Sequence, residues 1–171
     1  MQTKKDRRLK QLFIAIALTL ALAVALTACS SGAGGTENNT TPAQEIKQGE
    51  SLVIPVGEIS GTAKFYPIIV AGTKMEVLAV KAPDGTIRTA FNTCEVCYDS
   101  GRGYYKQQGD VLICQNCGNR FKTSQVEVAA NGCNPYPIFA ANKTVTNETI
   151  TISYQFLSES TKVFANWNKS Y

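Results

Sequence analysis

Six cysteines and no histidine set the chemistry open to this 171-residue chain. Four of the cysteines fall in two pairs, Cys94-Glu95-Val96-Cys97 and Cys114-Gln115-Asn116-Cys117, with sixteen residues between them. Two residues between thiolates let one tight loop aim both sulfurs at a single ion, and two such loops complete a tetrahedron of sulfurs suited to Zn²⁺ or iron. Gly118 relieves crowding where the second loop turns back. Without histidine there is no Ser/His or Cys/His catalytic pair, no HExxH zinc protease and no CxxCH haem attachment. No phosphate loop, no G-x-S-x-G and no pair of carboxylates placed as acid and base is present either, so the residue types fit a binding or electron-transfer protein better than an enzyme.

Two other uses of the four cysteines compete with a metal site. In an oxidising compartment they could form two disulfides, although each CxxC closes a very small, strained loop. An active dithiol would want a helix N-terminus in a βαβ setting, which the sequence does not display. Cys133 is the fifth thiol, in the turn-rich Asn131-Gly132-Cys133-Asn134-Pro135-Tyr136-Pro137. It reads either as a buried unreactive cysteine or as an extra ligand positioned by Asn134 and Pro135, exchanging with one of the four or binding a second metal. Thiolates alone also suit Cu(I), a lesser alternative. Tyr104, Tyr105 and Phe121 flank the cysteine loops, where aromatic rings would shield the sulfurs from water.

The elements that must position these sulfurs read as strands: a mainly β (α+β) fold, a small antiparallel β-rich domain with a two-knuckle cysteine site and a short C-terminal helix. Residues 51–56 form a short strand candidate. Runs 65–70 and 74–80 flank Ala71-Gly72-Thr73 as a hairpin. Pro83, Asp84 and Gly85 mark a turn before a strand over 86–91. Residues 111–113 run directly into Cys114, and the glycine-containing spacer suits a hairpin that returns the second cysteine pair to the first. Ile150, Ile152, Tyr154 and Phe156 alternate with polar residues as a half-buried strand. Ser158 to Trp167 then reads as a helix capped by Ser158. Residues 54–66 and 152–164 share a faint echo, which suggests that their strands are partners in one sheet.

The N-terminus is of another kind. Residues 1–10 carry five basic side chains and one acid, and Leu12 to Ala28 is an uncharged apolar run. This is the layout of an export signal. It ends Leu26-Thr27-Ala28-Cys29, which resembles the lipobox of bacterial lipoproteins, with Cys29 as the lipidated residue. Arg7-Arg8 lacks the apolar residues that a twin-arginine signal wants just after the pair, so the Sec route is favoured. The expected organisation is a signal peptide over 1–28, a lipidated Cys29 and flexible Gly/Ser/Thr tether over 29–48, and a cysteine-rich domain over 49–171. The domain would be extracytoplasmic and held at the bacterial cell membrane by its lipid. The formal charge of +4 belongs to the signal, because without its five bases and one acid twelve of each sign remain. An uncharged, exported domain gives no reason to expect nucleic acid as a partner.

The segments Ala90 to Cys97, Gly103 to Tyr105, Cys114 to Gly118 and Gly132 to Pro137, with Gly109, Val111 and Phe121, resemble the FtrD-like domain family of predicted membrane iron–sulfur proteins. The resemblance spans roughly residues 50–167. It implies that Cys94, Cys97, Cys114, Cys117 and Cys133 all belong to one metal-associated site. It also implies iron or an iron–sulfur cluster as cofactor, and a membrane iron transporter or redox partner. Zinc in a structural docking module and thiol–disulfide exchange remain the alternatives from the residues themselves. Two positions depart from the family pattern: Asn92 stands where an Asp is expected, and Asn131 where a second Gly is. Many family members also carry this domain behind several membrane helices, whereas here a lone lipoprotein is expected.

Overall fold

The computed structural model describes residues 42–170; the signal, Cys29 and the first part of the tether lie outside the described residues. Eleven strands are seen there, in three sheets. The largest has the order β1-β3-β4-β5-β9, built from Gln44–Ile46 (β1), Lys64–Val70 (β3), Thr73–Lys81 (β4), Ile87–Cys94 (β5) and Pro135–Pro137 (β9). Its pairs are antiparallel except β1 with β3. The second sheet has the order β10-β11-β2, from Thr144–Val145 (β10), Thr149–Ser153 (β11) and Ser51–Pro55 (β2). The third is β6-β7-β8, from Tyr105–Gln108, Val111–Cys114 and Arg120–Lys122.

β4 is the organising strand because it is buried on both faces, without interruption from Met75 to Val80. Successive side chains on a strand point to opposite faces. Met75, Val77 and Ala79 join Leu52, Ile54, Ile150, Ile152 and Leu157 in one core. Leu78 and Val80 join Ala90, Tyr105, Leu112, Phe121 and Val126 in a second, which also contains Cys94 and Cys114. The cysteine chemistry is therefore built on the second face. The hairpin expected around Ala71-Gly72 forms, and both residues take positive φ (49° and 78°), as a two-residue turn matched to strand twist requires.

The two echoing strands are direct neighbours, with Ile54 opposite Ile150 and Leu52 opposite Ile152. The C-terminal helix, however, is earlier and shorter than Ser158 to Trp167. It is Tyr154–Glu159 (α1), followed by a 3-10 turn over Thr161–Phe164. Ser153 rather than Ser158 caps it, accepting a hydrogen bond from the Phe156 amide at 3.4 Å. The cap ends β11 before the apolar alternation does, so Tyr154 and Phe156 continue the pattern on a helix. The tether expected through residue 48 also ends sooner. Ile46, its one large apolar side chain, is fully buried in the first core. Burying it gives roughly 1.5–3 kcal/mol, which together with the pairing to β3 holds this short strand in place. Among the described residues no helix is long and apolar enough to cross a membrane.

Candidate metal centre

Three loops converge at one end of the second core. Cys94 ends β5 and starts the first knuckle, Cys114 ends β7 and starts the second, and Cys133 lies just before β9. β5 and β9 slip register between Phe91 and Cys94, a bulge that re-aims the end of β5. Gly109-Asp110 turns β6 into β7, as the spacer predicted, and sets Tyr105 opposite Cys114.

Each knuckle turns its amides onto its first sulfur. Cys94 Sγ accepts hydrogen bonds from the Val96 and Cys97 N–H groups, and Cys114 Sγ accepts from those of Asn116 and Cys117. Gly118, at φ 75°, then donates to the Cys114 carbonyl at 2.9 Å. The first knuckle lacks that glycine. It runs instead into a 3-10 turn over Tyr98–Ser100 and closes at Gly101, at φ 71°. Neither CxxC opens an α-helix.

All five cysteines are unbridged. The sulfurs of Cys94, Cys97, Cys114 and Cys133 lie within 4.8 Å of one another. Four sulfurs at about 2.3 Å from one ion would stand about 3.8 Å apart, so this quartet is close to what a single ion needs. Cys133 is not remote from the pairs: it is 3.5 Å from Cys94 Sγ and 3.0 Å from Cys117 Sγ. Cys117, which spacing alone placed in the first quartet, sits on the exposed side. It is within hydrogen-bonding reach of the sulfurs of Cys133, Cys114 and Cys97.

The protonation pattern follows from these contacts. For Cys94 burial disfavours the thiolate, but hydrogen bonds from the Tyr105 hydroxyl and the two knuckle amides outweigh it and hold the thiol below its ordinary value. Burial pushes Cys114 up to about 12. Burial and neighbouring sulfurs also raise Cys97 and Cys133. Cys117, hydrogen-bonded to Cys133 and exposed, falls to about 7. The Tyr105 hydroxyl is buried with no nitrogen or oxygen partner. The Cys94 sulfur is its hydrogen-bonding neighbour.

A polar scaffold fixes the three loops. Glu95, inside the first knuckle, accepts hydrogen bonds from the Asn131 amide and from Asn134 Nδ2 (3.0 Å for the latter), while Asn119 Nδ2 donates to the Cys133 carbonyl at 2.8 Å. Asn131 takes φ 62°, a conformation that suits the Gly expected there and that Asn tolerates. Asn92, where an Asp is expected, is used as an amide. Its Oδ1 accepts from the Tyr105 amide at 2.7 Å, and its Nδ2 donates to the buried Glu76 carboxylate, a bond that an ionised Asp could not make. Lys169 binds both oxygens of Glu76, at 2.6 and 2.5 Å.

The C-terminal segment straps this assembly. Trp167 Nε1 donates to the Asn92 carbonyl, its ring meets those of Tyr104 and Phe164 edge-on, and the Asn168 amide donates to the Gly101 carbonyl at 2.8 Å. Of the aromatics expected to shield the sulfurs, Tyr105 and Phe121 pack in the cysteine core; Tyr104 faces Trp167. Sequence reading missed Glu76, Glu95, Asn119 and Lys169. A signal for Glu76 was present, a lone carboxylate within an apolar strand run.

A family model described as "Membrane iron-sulfur containing protein FtrD-like" matches residues 59–164, a span that includes all five cysteines of the cluster. No curated protein and no solved structure matches the chain.

Proposed function

Because the chain belongs to the FtrD-like family, whose description is that of membrane iron–sulfur proteins, we propose that its cysteine cluster binds iron, as a single ion or an iron–sulfur centre, for extracytoplasmic iron handling or electron transfer. The observation that carries this reading is the quartet of sulfurs within 4.8 Å, on knuckles whose amides already face sulfur. All five cysteines are candidate ligands. Thiolate-bound iron supplies one-electron chemistry. The protein's part is to hold the sulfurs, keep Cys94 and Cys114 dry beneath Tyr105 and Phe121, and supply hydrogen bonds that favour thiolate over thiol. The lipobox-like end at Cys29 supports a lipid anchor outside the cytoplasm, where a membrane iron transporter or redox protein would be the partner.

The compactness of the quartet favours one other reading, a structural zinc ion in a docking module. Elemental analysis and a visible spectrum of the exported protein, purified without oxygen, decide between them. Iron with sulfur-to-iron absorption bands supports the first reading, and colourless stoichiometric zinc supports the second. A metal-free protein rejects both. A Cys29→Ser chain that is still processed and membrane-bound would reject the lipid anchor.

A further inference from the structure

Five thiols surround a space that one four-coordinate ion fills with four. Their burial is graded: Cys94 and Cys114 are buried, Cys97 and Cys133 half-buried, and Cys117 exposed. Three of them, Cys97, Cys114 and Cys133, are near both remaining sulfurs. Cys94 completes the quartet on the buried side, and Cys117 lies on the solvent side, its sulfur 3.0 Å from that of Cys133 and within hydrogen-bonding reach of those of Cys97 and Cys114.

We propose that the cluster is two overlapping four-sulfur sites with a common face of Cys97, Cys114 and Cys133: an inner, resting site closed by Cys94 and an outer, exchange site closed by Cys117. An incoming divalent cation meets Cys117 first. The bond from the cation to Cys117 then breaks as a bond to Cys94 forms, while the three common sulfurs stay attached. Any proton that Cys94 still carries is released to water as its bond to the cation forms, the displaced Cys117 sulfur is free to take one up, and no electron moves. Release runs in reverse. Cys117 therefore governs how fast metal enters and leaves, and Cys94 governs how tightly it rests.

This inference rests on the metal-binding reading, and cobalt(II) tests the two separately. Full-length wild-type, Cys117→Ser and Cys94→Ser proteins, reduced and metal-free, are titrated with cobalt(II). The thiolate-to-cobalt absorption reports the number of sulfur ligands, and transfer to EDTA reports exchange. Wild type binding one equivalent upholds the metal reading; failure to bind rejects it and the inference together. Cys117→Ser is expected to keep one ion and full absorption intensity but to exchange at least about tenfold more slowly, the scale on which single groups around a metal act. Cys94→Ser is expected to release its ion about tenfold faster. A Cys117→Ser protein that loses a ligand's share of intensity, or that exchanges at the wild-type rate, overturns the proposal even if Cys94→Ser fails to fold.

Discussion

Replacing Lys169 by Met tests whether the last residues of the domain hold up its core. The Glu76 side chain is only 2% exposed and that of Lys169 20%. Lys169 reaches both carboxylate oxygens, and Asn92 is the other partner seen. Met keeps most of the aliphatic stem and removes only the ammonium. Breaking a buried pair by removing one partner costs about 3–5 kcal/mol, and the partial exposure of Lys169 places the loss near the low end, about 3 kcal/mol. Loss of the ammonium from above the Phe65 ring, 5.1 Å from its centroid, adds roughly 0.5–1 kcal/mol. Equilibrium unfolding in urea measures this, followed by fluorescence of Trp167, the chain's one tryptophan, and by circular dichroism as a check on two-state behaviour. The double variant Glu76→Gln/Lys169→Met leaves no buried charge and should return to within about 1 kcal/mol of wild type. A Lys169→Met loss below about 0.5 kcal/mol, the range of an ordinary surface substitution, refutes the reasoning. So does a double variant no more stable than the single.

Four further outcomes are expected. Ile46→Ala should cost about 2–4 kcal/mol in urea unfolding, whereas a residue in a free tether would cost nothing. Gly101→Ala should cost at least about 2 kcal/mol in the same assay, since its Cβ would lie 2.0 Å from the Asn166 carbonyl oxygen at φ 71°. In the metal-free protein Cys117 should alkylate first, at half its maximal rate near pH 7; peptide mapping at several pH values reads this out. Metal affinity should rise with pH, because Cys97, Cys114 and Cys133 are all held protonated above the ordinary thiol range and must each lose a proton to bind. Competition with a chelator of known pH dependence, at pH 6, 7 and 8, measures the slope.

What the sequence made legible was local. The β3–β4 hairpin announced itself through β-branched runs around Ala71-Gly72, and the two CxxC knuckles through their spacing. The positions of Cys133 and of Lys169 were not legible, because the contacts that matter cross 39 residues to Cys94 and 93 residues to Glu76. Spacing says which sulfurs share a loop, not which loop folds over another. It therefore grouped Cys117 with its own pair, whereas in the folded chain the four sulfurs within 4.8 Å of one another include that of Cys133. The helix boundary was lost for a different reason. Tyr154 and Phe156 fit a strand pattern and a short amphipathic helix equally well, and only the Ser153 cap decides between them.

The C-terminal strap gives the domain a fixed order of completion. Trp167 and Lys169 close onto Asn92 and Glu76 across 75 and 93 residues, and contacts so distant in sequence carry a loop-closure cost that makes them slow to form. During synthesis both knuckles emerge well before the segment that clamps them. The nascent chain thus passes through a stage with its thiols present and its scaffold open, prone to wrong metals and wrong disulfides. Translation that stalls just short of residue 167 would leave every cysteine in place and the protein still unfinished.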